Sequence, residues 1–249
     1  MLKFFRTIRK RLLAENKFSK YVLYALGEIF LVVVGILIAL AINDHQQYKK
    51  DRGVESRNLQ KFSSDLTQDS LLLQKLILRE QHIIQDIDTL FSILLANDEA
   101  AVMKVFEKSE SVGASSVFNA NTGTFDEAVS TGTLQTLLDD SLRSDIFAYY
   151  KRAKNNLEDK ITDHYQTTQI VPELLDIVGS SRQAVQFVMN AVNPHLEPLS
   201  VTALLENPDF NKLLIWRRAN SSILIGNWES FLSENARLHQ RIREELGEE

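Results

Sequence analysis

The sequence predicts an all-α protein, with an N-terminal transmembrane helix followed by an elongated antiparallel helical bundle. Three observations carry this reading. One run, Tyr21 to Asn43 (YVLYALGEIFLVVVGILIALAIN), is apolar almost throughout. After it, apolar residues recur three and four positions apart over long stretches, the period of a helix buried on one face. Glycine (9) and proline (4) are scarce among the 249 residues, which suits long helices and not a many-turned β fold.

The apolar run is 23 residues long. At about 1.5 Å per residue it crosses a hydrocarbon core of about 30 Å with some tilt. Tyr21 and Tyr24 stand at one end, where amphipathic rings favour the headgroup level. A cleaved signal peptide is the rival reading, since Ala39-Leu40-Ala41 has the small-x-small form of a cleavage site. Against it, Val22 to Ile38 exceeds the usual apolar region of a signal peptide, and Glu28 interrupts it. Seven basic residues lie in the 20 positions before the run and five in the 20 after it. That bias puts the N-terminus in the cytoplasm and the rest in the periplasm, with the span in the inner membrane. The chain then divides into a basic segment (1–20), a span (21–43) and an extracytoplasmic domain (44–249).

In the first segment Leu2, Phe5, Ile8 and Leu12 recur at helical spacing, while Lys3, Arg6, Arg9, Lys10 and Arg11 crowd the other sides. A basic amphipathic helix lying on an anionic leaflet fits this pattern, and so does a plain positive flank. Within the span, Glu28, Gly35 and Ala39 share one helical face. An acid at a helix centre costs about 2.5–3.5 kcal/mol on insertion scales, and small residues four apart let another helix approach. The face is therefore expected to meet a partner's span or a second copy of this chain; snorkelling or protonation of Glu28 is the alternative.

Two stretches, FFRTIRKRLLAENKFSKYVLYALGEIFLVVVGILIALAIN (4–43) and TFDEAVSTGTLQTLLDDSLRSDIFAYY (124–150), resemble an uncharacterised family of single-span Bacteroidota membrane proteins, a family of unknown function. The resemblance is good over the N-terminal 45 residues, fair in the middle and loose in the C-terminal third. It implies a single membrane span, and it brings no activity, cofactor or catalytic residue with it.

Beyond the span, Leu59, Phe62, Leu66, Leu73, Leu76, Ile83, Ile87, Leu90 and Leu94 predict an amphipathic helix over about 45–97, with Gly53 as a weak point. Asn97-Asp98 ends it and caps a short helix to about Ser109. Residues 110–123 read as a loop that Phe118 pins to the core. A short helix from Thr124 or Asp126 stops at Gly132. A long helix capped by Asp139 or Asp140 runs to about Val178, with a kink at Pro172. Short helices follow at 181–192 and 200–206. The last helix, 208–246, carries a seam of Phe210, Leu214, Arg217, Ser221, Leu224, Trp228, Phe231, Asn235, Leu238 and Ile242.

Residues 44–249 hold 21 basic and 31 acidic side chains, so nucleic acid is not an expected partner. The chain has no cysteine, which excludes disulfides and thiolate chemistry. None of His45, His82, His164, His195 and His239 sits in HExxH, and no phosphate-binding glycine loop or G-x-S-x-G elbow occurs. No cofactor, metal or catalytic residue is assigned, and no enzymatic activity is expected. Weaker groupings remain. Asp159, Asp163 and His164 read as a solvated helix face or a cation site. Asp139, Asp140, Arg143, Tyr149 and Tyr150 read as a cap, an Asp139–Arg143 pair and core tyrosines, or as a recognition site. Arg217 needs an acid if buried, and Asp69 and Glu80 are the candidates; the polar layer would set helix register or bind a ligand. The expected role is an accessory or scaffold subunit of a membrane complex, with a ligand-sensing bundle as the alternative.

Overall fold

The computed structural model describes residues 18–247 without Ser180, Val192 and Pro194, with backbone alone at 18–21 and 24. The basic residues Lys3, Arg6, Arg9, Lys10 and Arg11 lie outside the described residues. Among those described every regular element is helical. The chain divides into two compact units, Met1–Glu55 and Ser56–Glu249.

Helix α1 (Phe18–Ala96) contributes to both units. Gly53 does not interrupt it, because one glycine costs a helix only about 1 kcal/mol. In the first unit the apolar stretch of α1 is uncovered along its length.

The second unit is a bundle built on the second half of α1 and on α9 (Pro208–Leu246). The two run antiparallel: Ser63 meets His239 near one end, and Glu80 and Asp88 meet Arg217 and Arg218 toward the other. Asn207 caps α9 by accepting from the amides of Asp209 and Phe210, and Pro208 opens it. The nine apolar positions of the α1 stripe and the ten of the α9 seam are all buried.

Between them lie α2 (Val102–Val112), α3 (Gly123–Ser130), α4 (Asp140–Lys154), α5 (Leu157–Tyr165), α6 (Val171–Leu174), α7 (Arg182–Met189) and α8 (Val201–Glu206). The long helix expected from 140 to 178 is divided. α4 ends at Asn155 and Asn156, residues whose side chains compete with the helical hydrogen bonds. Pro172 is the second residue of the short α6, behind a π turn, Gln166–Ile170, and a second π turn, Leu175–Gly179, follows. The wider turn accommodates the amide that proline lacks.

The apolar core of this unit has two parts. One gathers Leu59 to Ile77 of α1, Phe118, α3, α4 and Leu224 to Ile242 of α9. The other gathers Ile83 to Leu94 of α1, α2, Ile170 to Val178, α8 and Phe210 to Leu214 of α9. On α1 the division falls at Glu80, and on α9 at Arg217 and Ser221.

Two chain reversals rest on identifiable chemistry. Gly132, just past α3, has φ of 73°, a left-handed conformation that an L side chain resists. At α8, the Glu99 carboxylate accepts from the amides of Val201 (3.0 Å) and Thr202 (2.8 Å) and from the Ser200 hydroxyl (2.9 Å). The Thr202 and Val201 amides, with that hydroxyl, hold its pKa down to about 2 from the ordinary 4.5.

Gly132→Ala places a Cβ in open space, so its cost is conformational alone. We expect a loss of about 1–2 kcal/mol in urea unfolding of the detergent-solubilised chain, read by tryptophan fluorescence. Glu99 has a folded pKa below its unfolded one, so its stabilisation is present above about 4.5 and is lost as pH falls toward about 2. Glu99→Gln should flatten the stability decline over that window, and a decline as steep as the parent's would show that the carboxylate contributes nothing.

Candidate functional site

The polar residues of the α1 and α9 seams converge on a non-helical strap, residues 113–122. Between α2 and α3 the strap passes from one apolar core to the other. Its first two amides still bond to Glu110 and Ser111 of α2, but beyond them the backbone leaves the helical pattern, and covering it requires other groups to supply its partners. The side chains of four elements do so.

Arg217 and Glu80 form the first anchor. Both are buried, at 2% and 0% exposure. The guanidinium meets the carboxylate with both terminal nitrogens, at 2.8 and 3.1 Å. Ser221 donates to the same carboxylate at 2.7 Å. Arg217 then donates to the strap side, from Nε to the Val112 carbonyl (3.2 Å) and from Nη2 to the Ala114 carbonyl (3.0 Å). Gln166 donates to the Val112 carbonyl as well, at 2.7 Å.

Asp159 of α5 forms the second anchor. Its Oδ2 accepts from the Phe118 amide and from the Trp228 indole, each at 2.8 Å. Phe118 packs against Phe231, with ring centroids 5.4 Å apart. Burial raises the Asp159 pKa, opposed by the bonds from Phe118 and Trp228. The neighbouring Asp163 accepts from Ser115 of the strap.

Asp69 forms the third. It accepts from the Asn121 amide at 2.8 Å and from the Tyr149 hydroxyl at 3.3 Å. Asn235 donates to that hydroxyl and to the Leu66 carbonyl, at 3.2 and 2.9 Å. Asn121 also donates to Asp65 at 2.9 Å. Burial raises the Asp69 pKa, against the Asn121 and Tyr149 bonds that lower it. Burial raises the phenols of Tyr149 and Tyr150 too, so both stay protonated.

The candidates named from sequence therefore separate. Glu80 and Arg217 meet, while Asp69 belongs to another anchor among Asn121, Tyr149 and Asn235. Asp159 is fully buried and not on a solvated face; His164 is exposed, and no cluster of metal-ligating side chains forms among the described residues. Asp139 caps α4 and pairs with Arg241, while Arg143 pairs with Asp140 instead of Asp139. Tyr149 and Tyr150 are buried in the core. Sequence reasoning missed Asp159 as a ligand of the strap and Gln166 as a ligand of the Val112 carbonyl that leads into it; the available signal was a polar residue on an otherwise apolar helical stripe.

In the first unit, α1 from Ala25 onward is long and apolar enough to cross a membrane, with an 18-residue window of mean hydropathy 2.8 and none of that window buried. Glu28 is partly buried, and Gly35 and Ala39 are exposed on the same face.

A family model described as "Family of unknown function (DUF6090)" matches residues 28–183, more than half of the chain. The chain belongs to this family. The DUF6090 match takes in Glu80, Asp69, the strap and Asp159, and it stops before α9. Of the two resembling stretches, 124–150 lies inside it and the N-terminal one overlaps it from Glu28 on. No curated protein and no solved structure matches the chain.

Removing Arg217 alone leaves Glu80 buried and unpaired, which costs about 3–5 kcal/mol. Arg217→Met should show this loss in urea unfolding, and Glu80→Met in the same chain should recover part of it. Recovery stays partial because the Ala114 carbonyl loses its donor in both variants. Full recovery would mean that the strap does not depend on Arg217.

Proposed function

We propose that the chain is a membrane-anchored accessory or scaffold subunit with no catalytic role of its own. In this reading α1 spans the inner membrane once as a signal-anchor, residues before it are cytoplasmic, and the helical bundle is periplasmic. The observation that carries the proposal is the uncovered apolar stretch of α1, of mean hydropathy 2.8, bearing Glu28, Gly35 and Ala39 on one face. Lipid covers an apolar helix, and the small residues Gly35 and Ala39, four apart, let a second helix approach closely, so this face is suited to another helix. The charge bias across the span supports the orientation. The basic residues Lys3, Arg6, Arg9, Lys10 and Arg11 supply attraction to an anionic cytoplasmic leaflet.

The bundle supports a structural role in its own way. Of the buried groups whose chemistry would otherwise suggest a site, Arg217, Asp69 and Asp159 bond the strap, and Glu80 holds Arg217. The partner is a protein span, in a complex or in a second copy of this chain. A single-span architecture common to the family and an origin in Bacteroidota belong to the same proposal.

Two measurements test it. A reporter fused to the C-terminus should be active outside the cytoplasm; cytoplasmic activity would reverse the orientation. The chain purified in mild detergent should bring a stoichiometric membrane protein, or a second tagged copy, that Glu28→Leu and Gly35→Ile each release. A complex unchanged in both variants would remove the span face from the interface.

A further inference from the structure

We infer that the groove between α4 and α9 is a binding site for a small anion carrying a carboxylate or phosphate group. The inference goes beyond the anchoring role and rests on the second unit alone. The groove has a volume of about 400 Å³, within the usual range for small-molecule sites. Facing stripes build it. α4 contributes Asp145, Ala148, Tyr149 and Arg152, and α9 contributes Glu234, Arg237, Leu238 and Arg241. Both sets follow the spacing i, i+3, i+4, i+7, so each is one face of its helix.

The floor is apolar. Tyr149 turns its hydroxyl inward to Asp69 and leaves ring surface beside Ala148 and Leu238. The rim is charged, and its cations exceed its anions. Arg152 is held by Glu234 and Ser230, with its guanidinium 4.1 Å above the Phe231 ring. Arg241 is held by Asp145 and by Asp139, the latter at 3.2 Å. Arg237 stands between them on the α9 stripe and has no hydrogen-bond or ion-pair partner among the described residues.

The two acids that line the groove, Asp145 and Glu234, pair with Arg241 and Arg152 and not with Arg237, although residues 44–249 carry ten more acidic than basic side chains. A guanidinium has five N–H donors in a fixed fork that matches carboxylate and phosphate oxygens. Two arginines oriented by carboxylates and a third left open make a preorganised anion site, in which a ligand oxygen pair bridges Arg237 and a neighbouring guanidinium. The floor takes a small apolar body behind the charged group. A free phosphate, a small organic acid and the acidic side chain of a peptide all present this chemistry.

The test uses the full chain in nonionic detergent at constant ionic strength. Inorganic phosphate, citrate and an acidic peptide are each titrated against chloride, with binding read by calorimetry and by the shift in Tm. At least one should bind and raise Tm, and the pattern among the three identifies the source of the anion. Arg237→Ala should keep the Tm of the parent in chloride and bind about tenfold more weakly, the loss expected for one charge-assisted contact. Arg237→Glu should abolish binding, and Arg237→Lys should retain part of it. No binding by any of the three probes would overturn the proposal, as would equal binding by the alanine and glutamate variants. A fall in Tm for Arg237→Ala without anion would assign Arg237 a structural role and overturn it as well. None of these outcomes depends on the span variants, so the two proposals fail separately.

Discussion

A non-helical segment crosses the bundle between its two apolar cores, half-buried except at Ser116 and Phe118, which are buried, and Asn119, which is exposed, and the polar residues of the neighbouring helices are arranged around its needs. An unmet buried amide or carbonyl costs about 1–3 kcal/mol. The strap at 113–122 would carry several such costs if apolar helices alone enclosed it. Arg217 answers the Ala114 carbonyl and, with Gln166, the Val112 carbonyl at the end of α2, and Asp159 and Asp69 each answer an amide. The polar residues in the seams of α1, α5 and α9 are the consequence. Their placement also divides the apolar core, because no hydrocarbon side chain can occupy the layer that Glu80, Arg217 and Ser221 fill.

The anchors meet the cost of burying charge in different ways. Glu80 and Arg217 cancel each other, and the guanidinium has donors left over for the strap. That surplus is a reason for arginine and not lysine at this position. Asp69 and Asp159 have no ion-pair partner among the described residues and rely on amide, indole and phenol donors instead. Burial outweighs those donors, so both carboxyl groups hold their protons more tightly than in water. Their contribution to stability therefore rises as pH falls through their raised pKa values, the reverse of Glu99. The acid response of the bundle is a difference between these opposing sets.

Helical periodicity made the frame legible. Leu59 to Leu94 and Phe210 to Ile242 are buried as their spacing predicts, since a 3–4 repeat on one face has few other uses. Pro208 and Gly132 marked boundaries through local chemistry that needs no tertiary context. The break at Asn155 and Asn156 was only half legible, because asparagine competes with helical hydrogen bonds, yet Asn220, Asn227 and Asn235 lie inside α9 without breaking it. Pairing was half legible. Arg217 announced a need for an acid, but Glu80 and Asp69 differ in partner only through their position along α1 relative to the strap. The strap was legible as a loop pinned by Phe118, which is buried against Phe231, but the carboxylates and the guanidinium that bond its backbone were not, since small polar residues do not name their partners. The long apolar stretch of α1 was plain from composition.

The order in which the anchors are made gives the strap a further significance. Arg217, Ser221, Trp228 and Asn235 all lie on α9, and their partners precede them by long intervals. Arg217 is 137 residues beyond Glu80, and Asn235 is 169 beyond Leu66. A chain emerging from the ribosome presents Glu80, Asp159 and the strap well before α9 exists to receive them. Closure of the core is thus a late, long-range event, unlike the local contacts that let most helical proteins fold quickly. Until α9 docks, the apolar faces of α1, α4 and α5 are open to other chains. The feature that makes the finished bundle specific also leaves the nascent one dependent on its last helix.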